Sequence, residues 1–399
     1  MSIFIGVTLM VIVQVVLLTY MNNQNSILFT PQRQQHQNDV YKDLPSPLHQ
    51  STPACQDKDK KHMVVPADSF GACLIVMDDN HFLPEWLSYH YQTLPLRRLI
   101  VAVDPRSKTS PSYIFERFRS HIHITEWSDV DFMPPHAIVA HKKIPHNDSE
   151  RIENLYLDRQ KHFYARCMAI QKMEQRNSWV AIIDSDEYIL PNPYIVKNYP
   201  YRLATDPSKF WDLNQTILEL LQNIPKWPKH MDKGCIAMHR LQYGTKESTI
   251  DQVQSMVPTG DFDGTDFVTT RWRYHAGLKN KTFNKLVKSM VDLSVIEEIN
   301  FHRDNMNPHL PLKTHCHLRM LKLPNEESMF LVNHYIGTLE EFSYRDDVRE
   351  KRRDDQYQLL HFDIYQDDFI RPWLRHFVDN VGIDTAKVLL EGAGKLEPK

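Results

Sequence analysis

The residues of this chain best placed to do chemistry are Asp184 and Asp186, in the run Trp179-Val-Ala-Ile-Ile-Asp184-Ser-Asp186-Glu187-Tyr188. An apolar segment stops at two carboxylates one residue apart. That pattern reads as a buried strand emerging from a sheet. In an extended backbone residues i and i+2 point the same way, so both carboxylates are expected to face one ligand. Paired hard oxygen donors suit Mg²⁺ or Mn²⁺, and such an ion commonly holds a diphosphate. Open α/β sheets also bind their ligands outside the carboxyl ends of strands. Two other uses of the same letters fit less well. A haloacid-dehalogenase phosphatase carries its pair on the first strand, with Thr or Val where Tyr188 stands. A calcium EF-hand loop needs Gly at its sixth position, where this chain has Ile189.

The elements that must position these carboxylates can be followed along the chain. Residues 72–77 form a continuous apolar run, fit for a strand buried on both faces. Residues 84–93 have helical spacing with Pro84 in the first turn, and 98–103 form the next strand, ending at Asp104. This order favours a parallel sheet. A short helix over 113–119 and a third strand over 121–127 follow. Residues 155–176 carry an amphipathic helix, with Phe163, Cys167, Ile170 and Met173 at spacings of three and four. Further strands are expected over 234–239, 285–291 and 329–335, and a strand-like stretch at the end of the polar loop 259–275. A charged helix over 340–360 and a helical tail over 371–390 complete the reading. The expected fold is a mostly parallel α/β sheet with helices on both faces.

Composition narrows the function. The 399 residues carry a formal net charge of −3, with no strongly basic block, which argues against a nucleic-acid surface. There are 11 glycines and neither GxGxxG nor GxxxxGK[ST], so any phosphate must be held by metal and side chains. Residues 3–18 are apolar apart from Thr8 and Gln14. They read as an uncleaved membrane anchor over 1–21, since a signal peptide would want a basic start and a small-residue cleavage site. The positive-inside rule does not settle its orientation. Residues 22–66, rich in Gln, Asn, Pro, His and Lys, read as a flexible stem, leaving 67–399 as the catalytic domain. Three sequons, at Asn147, Asn214 and Asn280, support a lumenal body. The 5 cysteines contain no CxxC; one or two disulfides are expected, with at least one thiol left over and no readable pairing.

Several short pieces run in order along the body of the chain. They are Glu85-Trp86 with His90, Gln160 with Cys167, Trp179 through Tyr188, Tyr243-Gly244-Thr245, Arg271-Trp272, Lys285-Leu286-Val287, and Asn333-His334-Tyr335 followed by Glu340-Glu341-Phe342. This set, over residues 70–345, resembles nucleotide-sugar glycosyltransferases of the GT-A (Rossmann-like) fold, most closely glycosyltransferase family 92. The resemblance implies an inverting transfer, often of galactose from UDP-galactose, onto a glycan or glycoprotein. It also implies a Mn²⁺ (or Mg²⁺) cofactor and a single-pass type II enzyme of the Golgi or another secretory membrane. The chain departs from the pattern at Tyr188, where Phe is frequent, and at Met77-Asp78-Asp79-Asn80, where an Asn-Glu pair is usual.

Roles follow for single residues. Asp186 is the expected first metal ligand, Asp184 a second ligand or a partner through water and ribose, and His334 the distal histidine such folds often supply. Arg166 lies on the helix that commonly brings a cation to the diphosphate. Asp104, at a strand end, could meet ribose or base; Lys285 and Arg271 are candidate phosphate or acceptor contacts. An inverting enzyme needs a carboxylate base. Asp263 is the expected base, with Asp266 and Glu247 as rivals. Trp211, Trp227 and Trp272 could stack on sugars or simply pack. His315-Cys316-His317 lacks two further ligands for a structural zinc site. The alternative to an enzyme is a lumenal glycan-binding or inactive scaffold protein that keeps the fold; a phosphohydrolase is a further rival.

Overall fold

A computed structural model describes residues 69–142, 149–174, 179–195, 206–224, 234–258, 260–309, 311–312, 315–316, 324–345 and 353–398. The expected anchor and stem, Cys55, Asn147, Trp227 and His317 lie outside them. Among the described residues no helix is long and apolar enough to cross a membrane.

Among the described residues ten strands are formed: β1 (Phe70–Val76), β2 (Leu96–Val103), β3 (His123–Trp127), β4 (Trp179–Ile182), β5 (Glu187–Pro191), β6 (Cys235–Gln242), β7 (Tyr274–His275), β8 (Val287–Asp292), β9 (Phe330–His334) and β10 (Tyr365–Gln366). Eight build one sheet in the order β3-β2-β1-β4-β8-β6-β9-β5, and β7 pairs with β10. The half β3-β2-β1-β4 is parallel throughout. Beyond β4 the pairings are β4–β8, β8–β6 and β9–β5 antiparallel, with β6–β9 parallel. The expectation of a mostly parallel sheet is corrected to a mixed one. Alternation and apolar runs locate strands, but strand direction is set by connections that periodicity does not encode.

Side chains alternate across β1 and bury on both faces. Leu74 and Val76 join Leu99 and Val101 in a core covered by the helices Leu83–Thr93, Trp373–Val381 and Ile383–Leu390. Cys73 joins Ile100, Ala102, Val180 and Ile182 under Phe163, Tyr164 and Met168 of the helix Ser149–Glu174. Helices on both faces are therefore as expected. The tail forms two helices because Gly382, at φ 83°, breaks it in a conformation other residues avoid. The charged helix expected over 340–360 is instead two pieces, Leu339–Tyr344 and Arg353–Leu359.

Two disulfides form, Cys73–Cys167 between β1 and the long helix, and Cys235–Cys316 at the start of β6. Replacing Cys73 and Cys167 together with alanine is expected to cost about 2–4 kcal/mol of unfolding free energy. An unchanged urea midpoint and slope would show that the cross-link contributes nothing.

His90 fixes the first helix to β5. It is fully buried, its Nδ1 lies 2.9 Å from the Trp86 carbonyl, and its Nε2 lies 3.4 Å from the Ile189 N–H. A carbonyl only accepts and an N–H only donates, so the ring is neutral with its proton on Nδ1. Burial pulls its pKa from 6.5 down to about 3, although the Trp86 carbonyl opposes the shift. A histidine whose folded pKa is depressed gives stability that is complete above 6.5 and lost as pH falls toward 3. By pH 4.5 that loss is on the order of 2–3 kcal/mol. His90→Gln should therefore show a shallower fall of Tm between pH 6.5 and 4.5 than the parent protein; parallel Tm profiles would contradict this.

Candidate functional site

The acidic segment joins β4 to β5, and its conformation is a turn. The Glu187 N–H donates to the Asp184 carbonyl at 3.2 Å. The i, i+2 argument for an extended strand therefore does not apply, and the two carboxylates take different partners. The turn is pinned from three sides. Trp86 Nε1 donates to the Asp184 carbonyl at 3.0 Å, the Tyr335 N–H donates to the Asp186 carbonyl at 2.9 Å, and the Asp184 N–H donates to Glu187 Oε2 at 2.9 Å. Trp86 and Tyr335, two pieces of the ordered set, thus hold the backbone of the third.

Asp184 is bound by Lys288. Its Oδ2 lies 2.6 Å from the Lys288 ammonium, which also reaches Glu187 Oε2 at 3.1 Å. Lys288 sits in β8, the strand beside β4, and is buried, as is Glu187, whereas the Asp184 carboxylate is 43% exposed. Enclosure works against ionisation of Asp184, but the ammonium outweighs it and lowers the pKa. Burial raises the Glu187 pKa despite Lys288. The two carboxylates together overcome the burial penalty on Lys288 and raise its pKa. Lys285, the lysine named from sequence, is exposed. The signal for Lys288 was present: it is a lysine inside the apolar run 286–291, where strand geometry demands burial.

Asp186 meets His334 and Arg345. Asp186 Oδ1 is 3.6 Å from His334 Nε2, and Oδ2 accepts from Arg345 Nη2 at 2.9 Å. His334 Nδ1 is 2.8 Å from Gln242 Oε1, and Gln242 Nε2 donates to the Tyr243 carbonyl at 2.9 Å. That amide orientation makes Oε1 the acceptor, so His334 carries a proton on Nδ1 and turns Nε2 toward Asp186. Asp186 Oδ1 is buried and makes no hydrogen bond. A buried carboxylate oxygen facing an imidazole nitrogen, with the imidazole held by its outer partner, is the donor set a divalent cation uses. Burial opposes ionisation of Asp186, but His334 and Arg345 hold its carboxyl well below the usual range, ready to ligate. Among the described residues no three His, Cys, Asp or Glu side chains converge on one point, so the fit is to a pair with open positions.

Arg345 also reaches Asp79 Oδ1 at 3.1 Å. Burial raises the Asp79 pKa to about 6 against the pull of Arg345, and the Ser185 hydroxyl hydrogen-bonds it as well. Neighbouring Asp78, at φ 56°, accepts from the Lys108 and Thr109 N–H groups at 2.7 and 2.9 Å. This joins the loop after β1 to the loop after β2. The second loop borders a cleft of about 490 Å³ lined by Val103, Asp104, Lys108, Thr109, Asp129 and Ile138, among others.

Asp104 lies on that cleft as the strand-end argument expected. Its carboxylate is buried and already engaged, by Arg106 at 3.0 Å and Arg159 at 3.1 Å. Arg159 also binds Asp129 at 2.5 Å. The cation that the long helix brings to the cleft is thus Arg159; Arg166, two turns later, is exposed. Gln160, beside it, is buried.

Each carboxylate considered as a base has partners of its own. Asp263 is exposed and caps a short turn, accepting from the Thr265 N–H at 2.9 Å and its hydroxyl at 2.7 Å. The Thr265 N–H lowers its pKa. Asp266 pairs with Lys395 at 3.5 Å, and burial raises its pKa. Glu247 is bound to Arg271 at 2.9 Å. Trp211 and Trp272 are buried, which makes them packing residues, and Cys316 is consumed by its disulfide.

No family model matches the chain, and no curated protein matches it. A crystal structure of TarS from S. aureus is similar at 12% identity and a TM-score of 0.27, over 74% of this chain and 44% of that one. The chain therefore spans less than half of that structure's length. A TM-score of that size assigns nothing, and the reading of the site rests on its own residues.

Proposed function

We propose that this chain is a metal-dependent glycosyltransferase that moves a sugar, galactose in the family it resembles, from a UDP-linked donor to a glycan or glycoprotein, with inversion. The observation that carries the reading is the Asp186–His334 pair, 3.6 Å apart and oriented through Gln242, linked through Arg345, Asp79 and Asp78 to the loop that borders a cleft at the carboxyl ends of β2 and β3. A Mn²⁺ or Mg²⁺ ion held there would neutralise charge developing on a leaving diphosphate. Asp184, with its carboxylate partly open, would contact the donor or complete the ion's shell. The cleft beside Asp104 would take the nucleoside, with Arg159 keeping the wall in place. Arg166 and Lys285 are exposed and could contact only an outer part of the donor or acceptor. Of the candidate bases, Asp266 suits proton abstraction better than Asp263, because its carboxyl is raised rather than lowered. The two disulfides and the exposed sequon at Asn214 favour an oxidising, lumenal compartment such as the Golgi.

A ligand that binds only the native state raises apparent stability by mass action. UDP- and GDP-sugars are therefore expected to raise Tm in the presence of Mn²⁺ and to lose that effect in EDTA. A panel in which no nucleotide sugar protects the protein would leave the glycan-binding scaffold as the reading.

A further inference from the structure

Arg345 belongs to no part of the ordered set, and its surroundings are unusual. Its guanidinium is fixed along one side by two buried carboxylates, Nε to Asp79 at 3.1 Å and Nη2 to Asp186 at 2.9 Å. Its Nη1 meets no partner among the described residues, and the side chain is 26% exposed. Beside it lies His81, only 2% exposed, with neither ring nitrogen hydrogen-bonded and with Arg345 and Asp186 as the charged groups acting on it. Tyr156 of the long helix lies within electrostatic reach of Arg345, and the Arg106 guanidinium stands 5.9 Å from its ring. A planar cation with one edge locked and the other open is pre-organised for a second, anionic partner.

We infer that Arg345 is a diphosphate-binding residue, whose open edge donates to the phosphate oxygens of a nucleoside diphosphate held beside Asp186. This rests on the reading of Asp186 and His334 as a cation site. Charge makes the two events ordered. Asp79, Asp184, Asp186 and Glu187 against Arg345 and Lys288 leave two net negative charges, which repel an anion. A divalent cation on Asp186 cancels them. The diphosphate therefore binds after the cation, with Arg345 as its second positive contact.

The test is calorimetry on the full chain, with Mn²⁺ alone and then with UDP or GDP at saturating Mn²⁺. Arg345→Gln should bind Mn²⁺ no more weakly than the parent protein, because a like charge has been removed. It should bind the better of the two nucleotides at least about tenfold more weakly, the loss of one charge-assisted contact. Arg345→Lys keeps the charge but not the fork and should lose less; it also serves if the Gln variant does not fold. If Arg345→Gln weakens Mn²⁺ binding and nucleotide binding in equal measure, Arg345 is only a buttress of Asp186 and the inference is overturned while the cation site stands. If the parent protein takes up neither Mn²⁺ nor nucleotide, the cation reading fails and the inference fails with it.

Discussion

Asp186→Asn is expected to abolish Mn²⁺-linked uptake of the nucleotide sugar and to reduce turnover by at least about a hundredfold. The substitution keeps the shape of the side chain and removes its charge. Stabilisation of a leaving diphosphate by a bound cation is worth several kcal/mol, and each 1.4 kcal/mol or so is a factor of ten. Asp186 is also the residue on which Arg345 and the His334 ring converge, so its carboxylate holds both in place. Asp184→Asn should do less to binding, because that carboxylate is partly spent on Lys288. The comparison needs both variants, assayed by calorimetry with Mn²⁺ and by sugar transfer. Full turnover in Asp186→Asn would remove the chemical role assigned to this turn.

Lys288→Met is expected to cost roughly 3–5 kcal/mol of unfolding free energy, the range found when one partner of a buried pair is removed. The ammonium is the counter-ion of Glu187, which is fully buried, and of the inner oxygen of Asp184. Without it Glu187 must either stay charged in an apolar setting or take up a proton. Adding Glu187→Gln to Lys288→Met should restore part of the loss, since the stranded charge is then gone, although the Asp184 N–H keeps only an amide partner. Guanidinium denaturation of the two variants gives the answer. If the double variant is no more stable than the single one, the penalty lies in packing and not in charge.

Much of the scaffold was legible. β1, β2, β6, β8 and β9 all lie within two or three residues of the apolar runs that announced them, because burial on both faces forces continuous hydrophobicity. The long helix was legible from its period. Strand direction in the half beyond β4 was not. The turn at Asp184–Asp186 was missed because a strand-end rule was applied one residue too far. Among the charged residues His334 stands beside Asp186 and Lys285 and Arg166 are exposed, whereas Lys288 and Arg159 are enclosed. Arg159 and Arg166 share the long helix, and Lys285 lies just before the strand that holds Lys288. What separates them is which face of a strand or helix is enclosed, and that depends on neighbours brought in from elsewhere in the chain.

Two of the three bonds that pin the acidic turn, and the Arg345–Asp186 pair beside them, join segments remote in sequence. Trp86 reaches Asp184 across 98 positions, and Arg345 reaches Asp186 across 159. Contacts of such separation form late, because the long loops between them must close first. A growing polypeptide can therefore complete its parallel half well before it has any place for an ion. Cation affinity in this molecule should appear only once His334 has docked beside Asp186, which makes it a natural marker of finished folding.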